Sequence, residues 1–183
     1  YALNKGIKLA SGDIIGILHS DDFYAHNRII ENVADVFKRE NTDSCFGDLQ
    51  YVSEKNPVKV IRYWKASPCV KEKFKYGWML PHPTFFVKKW AYEKFGYFNT
   101  DFKIAADYEL MLRFLVKQGI STYYIPEVIV KMRMGGLSNR NFINLFIKSY
   151  EDYKAWKVNN LKSNFSIILL KNLIKMPQFF RRV

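Results

Sequence analysis

Apolar positions along the chain fall into short periodic blocks, separated by glycines, prolines and acidic pairs. Leu3, Ile7 and Ala10 recur at helical spacing, and Ser11-Gly12 closes that segment as a carboxyl-terminal glycine does. Asp13 then leads into Ile14-Ile15-Gly16-Ile17-Leu18, a run that predicts a strand buried on both faces, as in parallel sheets. The run stops at His19-Ser20-Asp21-Asp22. Over residues 27–40, Ile29, Ile30, Val33, Val36 and Phe37 make one apolar stripe, the mark of an amphipathic helix. Residues 44–53 and 58–64 are β-rich and flank Glu54-Lys55-Asn56-Pro57, which predicts a hairpin.

A basic aromatic stretch, 71–78, precedes Pro81-His82-Pro83-Thr84-Phe85-Phe86-Val87, read as a strand that its prolines confine to an edge or a first position. Residues 88–95 form a short helix closed by Gly96. A further helix over 105–118 carries Leu110, Met111, Phe114 and Leu115 and ends at Gly119, so Asp107 falls in its first turn. Alternation over 120–134 predicts one or two strands, followed by the loop Gly135-Gly136-Leu137-Ser138 and helices over about 139–158 and 163–175. The fold expected is α/β, a mixed sheet flanked by helices. Residues 1–138 would form the main domain and 139–183 a helical extension.

Composition narrows the class. With 183 residues, 49% of them apolar and 25% charged, the chain suits one globular domain. The 29 Lys and Arg against 17 Asp and Glu give a net charge of +12, which favours an anionic partner. No zinc, helix-turn-helix or RNA-reading signature accompanies that charge, so phosphorylated small molecules or anionic lipids are expected rather than nucleic acid. Cys45 and Cys69 make neither metal spacing nor a disulfide framework, pointing to a reducing interior. No run of 18 uncharged apolar residues occurs.

Asp21 and Asp22 follow an apolar strand, and adjacent carboxylates there are costly unless paired or bound to a cation. Mg²⁺ or Mn²⁺ takes one or two protein carboxylates together with substrate phosphates, which suits a diphosphate-linked donor. The plainer alternative is that either aspartate caps a turn or the next helix. His19 and His26 offer a different metal site with the same aspartates, or a packing role.

Asn4-Lys5-Gly6-Ile7, Ala10-Ser11-Gly12-Asp13 and Ile15 through Asp22, with Ser20-Asp21-Asp22 in place of a strict Asp-X-Asp, resemble the central segment of family 2 glycosyltransferases of the GT-A fold. Ala106-Asp107-Tyr108-Glu109-Leu110-Met111-Leu112-Arg113 resembles the acceptor-side signature of that family, and Gly96-Tyr97-Phe98 its Gly-X-Phe turn. The resemblance implies an inverting transfer from a nucleotide-sugar donor to a glycan or lipid-linked acceptor in cell-surface polysaccharide synthesis. It makes Asp22 the main metal ligand, with Asp21 at the donor ribose or near the metal, and Asp107 the general base. Without it, Asp107 reads as a first-turn residue favoured by the helix dipole.

His82 and Gly135-Gly136 become substrate contacts, with Glu109 a lesser candidate. A satisfied structural histidine and an ordinary tight turn are the alternatives. Members of the family begin with nucleotide-binding strands, and a chain opening at Tyr1 inside a helical pattern is expected to lack them. Residues 163–183, with Lys171, Lys175, Arg181 and Arg182, suit peripheral contact with an anionic membrane or packing on the domain. A non-catalytic binding module keeping the same fold is the competing reading.

Overall fold

The structure is a computed structural model that describes residues 2–69, 71–133 and 142–162. A six-stranded mixed sheet runs in the order β1-β5-β3-β6-β2, with β4 also on β3. Its strands are β1 (Ile14–Ile15), β2 (Asp22–Tyr24), β3 (Ser44–Val52), β4 (Val60–Trp64), β5 (Phe86–Lys88) and β6 (Thr122–Arg133). Among the described residues, only β3 and β6 pair in parallel, and the other pairings are antiparallel.

The central strand is β3. Its residues Ser44 to Leu49 are all buried, a near-continuous run of the kind that strands covered on both faces show. The Asp48 carboxylate lies within it and accepts hydrogen bonds from the phenols of Tyr63 and Tyr124 and from the amide of Ala66. One buried acid thereby ties β4, β6 and the chain after β4 to the middle of the sheet.

The role predicted for Ile14 to Leu18 belongs to β3 instead. Only Ile14 and Ile15 are strand, they pair antiparallel with β5, and Leu18 is 42% exposed. An apolar run gives the strand tendency but not the number of neighbours, and here the pairing is one-sided. Gly12, read as a helix-closing glycine, is not among the glycines of positive φ.

The hairpin forms as β3 and β4. Pro81 to Val87 does not form one strand: His82–Thr84 is a 3-10 turn and β5 begins only at Phe86. Two prolines remove two ladder donors and fix φ, so the chain turns before it pairs. Along β6 the register against β3 slips twice, between Phe46 and Asp48 and between Asp48 and Leu49. The slipped stretch holds Pro126, which has no N–H for the ladder, opposite Gly47. A Cβ on Gly47 would lie 2.6 Å from Ile129 and 2.8 Å from the Glu127 carbonyl oxygen.

The helices are α1 (Ala2–Leu9), α2 (Ile29–Arg39), α3 (Lys89–Phe95), α4 (Ala106–Met111) and α5 (Phe142–Val158). The stripe of α2 buries Ile29, Val33, Val36 and Phe37, whereas Ile30 stays exposed. Gly96, at φ 92°, terminates α3 in a conformation that an L side chain rarely adopts. After α4 the backbone widens into a π-helical segment, Leu112–Lys117, that buries Leu112, Phe114 and Leu115.

α5 packs on α4, and Ala155 and Trp156 are in the same core as the sheet. The indole of Trp156 donates to the Tyr108 hydroxyl at 3.0 Å. Among the described residues, no helix is long and apolar enough to cross a membrane.

Candidate active site

Two backbone turns bring the chemistry-bearing side chains of separate elements together. The first follows β1, where the Asp22 amide donates to the His19 carbonyl at 3.1 Å and closes a tight turn before β2. Asp22 is therefore the opening residue of β2, paired with Met132 of β6, and not a loop residue as its sequence context predicts. An acidic residue in a three-residue strand is invisible to propensity, because the partner strand lies about a hundred residues away.

Asp22 is 7% exposed, and neither carboxylate oxygen has a hydrogen-bond partner. Burial pushes its pKa up to about 6, against a lowering by His19 and with a further rise from Asp21. Buried carboxylates are ordinarily hydrogen-bonded, and the two unpartnered oxygens of Asp22 are free to hold a cation or a ligand donor group.

The second turn is His82–Thr84. The Thr84 hydroxyl accepts from the Gly47 amide at 3.2 Å, and its proton lies between the carbonyl oxygens of Gly47 and Pro81 at 2.9 and 2.8 Å. This anchors the turn to β3 and fixes where His82 stands. His82 Nδ1 is 3.2 Å from Asp107 Oδ2, and His82 Nε2 is 3.4 Å from His19 Nε2. The turn before β2 and helix α4 are thus joined through two imidazoles.

Asp107 is the second residue of α4, and its side chain keeps 24% exposure. The chain entering α4 is held by Glu151 of α5, whose carboxylate accepts from the amides of Lys103, Ile104 and Ala105, each at 2.8 Å. Sequence reasoning missed Glu151. Its only sequence signal is a carboxylate on a helix 44 positions after Asp107, and nothing local indicates what it caps.

Tyr51 of β3 was missed as well. Its phenol is pushed up mainly by burial, is opposed by the Arg62 guanidinium stacked 4.7 Å from its ring, and feels the charges of both Asp22 and Asp107. Both carboxylates therefore lie within electrostatic reach of one part-buried side chain.

Glu109 stands apart. It is 3% exposed, and its carboxylate is committed to Arg113 at 2.9 Å through both oxygens and to Asn159 at 3.1 Å. Arg113 in turn donates to the carbonyl oxygens of Phe95, Gly96 and Tyr97, locking α3 and its turn onto α4. His26 turns to Glu127 at 2.5 Å, and no three His, Cys, Asp or Glu side chains among the described residues group as a ready metal site. Gly135, Gly136 and residues 163–183 lie outside the described residues.

Comparison with known proteins bears on this geometry. The family model for glycosyl transferase family 2 matches residues 1–102, a stretch that takes in His19, Asp21, Asp22 and His82. An uncharacterized glycosyltransferase of Rickettsia typhi is 26% identical over 160 residues, covering 84% of this chain and 49% of its own length. A PGL/p-HBAD biosynthesis glycosyltransferase of Mycobacterium tuberculosis is 25% identical over 149 residues, covering 80% of this chain and 56% of its own. A further uncharacterized glycosyltransferase, of Rickettsia prowazekii, is 26% identical over 157 residues, 82% of this chain and 49% of its own.

The chain spans about half the length of the curated relatives it matches. With a family match over more than half its residues and a mixed α/β sheet flanked by helices in the GT-A manner, the chain belongs to glycosyl transferase family 2.

Proposed function

We propose that this chain carries the catalytic groups of an inverting glycosyltransferase that moves a sugar from a nucleoside-diphosphate-sugar to a hydroxyl of a glycan or lipid-linked acceptor. The observation that carries the reading is the pairing of opposite environments. Asp22 is a buried carboxylate with no protein partner, while Asp107 is a part-exposed carboxylate backed by an imidazole.

Asp107 would accept the acceptor's hydroxyl proton as that oxygen attacks the anomeric carbon. Attack from the face opposite the departing diphosphate inverts the anomeric configuration. Asp22, with Asp21 beside it, would hold Mg²⁺ or Mn²⁺. The unpartnered oxygens of Asp22 fit a hard cation that takes few protein ligands and completes its shell with phosphates. Such an ion supplies charge neutralisation for the departing nucleoside diphosphate.

Tyr51 and Arg62 would stand beside the donor, the guanidinium stacked 4.7 Å from the Tyr51 ring placing positive charge near the anionic diphosphate. The setting in this reading is cell-surface polysaccharide synthesis at the cytoplasmic face of the membrane, with residues 163–183 meeting anionic lipid.

The test is a transfer and donor-hydrolysis screen with uridine and guanosine diphosphate sugars in the presence of Mn²⁺. Wild-type protein turns over one donor class, and Asp107→Asn loses at least about 100-fold in kcat, in keeping with removal of a general base. Asp22→Asn loses Mn²⁺-dependent donor binding. Absence of Mn²⁺-dependent nucleotide binding, with both variants indistinguishable from wild type, overturns the reading.

A further inference from the structure

The contacts of His82 fix more than its position. A neutral imidazole has one N–H donor and one bare nitrogen that accepts, and a carboxylate only accepts. His82 Nδ1 faces Asp107 Oδ2 at 3.2 Å, and a proton on Nδ1 keeps two lone pairs from opposing each other there. His82 Nε2 is then bare, and its contact at 3.4 Å is satisfied only if His19 presents an Nε2–H. The rings meet edge to face, at 67° with centroids 5.6 Å apart, so that one ring's N–H edge addresses the other. With both rings neutral, no other assignment of protons keeps two lone pairs from opposing each other at one contact or the other.

The supports for the two rings are independent. Pro81 and Pro83 flank His82, and Thr84 pins its turn to β3. His19 is set by the turn that its carbonyl closes with the Asp22 amide. On the far side, Glu151 fixes the chain that enters α4. Three separate devices therefore converge on one carboxylate.

We infer that His82 is a positioning residue for Asp107, held as the Nδ1–H tautomer by His19 and occupying Oδ2 so that Oδ1 alone receives the acceptor's proton. This rests on the transferase reading above. Among the described residues, Oδ2 of Asp107 faces His82 Nδ1 at 3.2 Å, and Oδ1 has no such contact. The proton of the acceptor hydroxyl passes to Oδ1, and the O–H electron pair forms the new bond to the anomeric carbon. The pair of the breaking bond leaves with the diphosphate, and His82 keeps its own proton throughout. His82 is thereby assigned a role distinct from direct contact with the sugar.

Two experiments on the intact protein test this. The chain has three histidines, so two-bond ¹⁵N–¹H correlation resolves each ring. His82 is expected with a protonated Nδ1 and a bare Nε2, and His19 with the reverse. A proton on Nε2 of His82 overturns the inference without reference to activity.

The second experiment is kinetic. His82→Leu should lower kcat roughly 10- to 100-fold, a fraction of what a general base supplies, with donor and acceptor KM unchanged. His82→Asn, whose amide nitrogen replaces Nδ1–H, should restore kcat to within about threefold of wild type. In an Asp107→Asn background His82→Leu should cost nothing more, because the two act as one unit.

A rise in KM with kcat intact would make His82 a substrate contact and overturn the positioning role, as would additive losses. A fully active Asp107→Asn protein would instead defeat the base assignment itself, and the two failures are thereby told apart.

Discussion

Asp22 and Asp107 are both aspartates, yet burial gives them opposite characters. Because the folded carboxyl of Asp22 titrates near 6 against an ordinary 3.8, it holds its proton more tightly folded than unfolded. Its contribution to stability is fully present below about 3.8 and is lost as pH rises through about 6. Asp22→Asn is therefore expected to leave stability unchanged at pH 3.5 and to raise it at pH 8 by on the order of 1–3 kcal/mol, read by urea denaturation at both pH values. Mn²⁺ should raise the melting temperature of wild type at pH 8 and leave the variant unmoved. This aspartate is costly to the apo fold, as binding-site residues commonly are.

Elements carry the next level of the argument, because the site's precision comes from contacts that no single element makes. Glu151→Ala removes the acceptor of three amides just before α4, which should destabilise the protein by about 2–4 kcal/mol. Amide exchange at 103–107 should accelerate more than exchange in β3, and kcat should fall with it. Equal acceleration throughout would mean a purely global effect.

In the sheet, Gly47→Ala places a methyl group within 2.6 Å of Ile129 and 2.8 Å of the Glu127 carbonyl oxygen. The backbone oxygen cannot move aside as a flexible side chain could. A loss of about 2 kcal/mol or more is expected in denaturant titration, from overpacking against the bulge of β6. The same substitution at Gly6, which has nothing within 4 Å, should be neutral or stabilising in a helix.

For the molecule as a whole, α5 decides how much chain is needed to hold the site. Trp156, 1% exposed, and Ala155 fill the core, while Asn159 and Glu151 satisfy groups on α4 and the chain before it. A protein ending at residue 141 would leave the Tyr108 hydroxyl, one Glu109 oxygen and three amides without these partners. It is expected to aggregate or to lose its cooperative unfolding transition, as followed by circular dichroism. A sharp transition at unchanged temperature would show that α5 is dispensable.

Much of this architecture was legible from residue order, and the exceptions share one cause. The stripe of α2, the β3–β4 hairpin, the glycine stop of α3 and the placement of Asp107 at a helix start depend on neighbours within a few positions, where periodicity and turn chemistry speak directly. The acidic motifs and the family resemblance were likewise local.

Pairing was not. Whether Ile14 and Ile15 meet one strand or two, and that Asp22 opens a strand, were decided by partners 72 to 110 positions away. The contacts from His82 to Asp107 and from His19 to His82, and the cap from Glu151, span 25, 63 and 46 to 48 positions. A one-dimensional pattern records which chemistry is available and what each short segment prefers. Only the folded chain determines which oxygen of Asp107 is engaged and which carboxylate is left buried without a partner, because those outcomes depend on distances between segments that hydrophobic burial brings together.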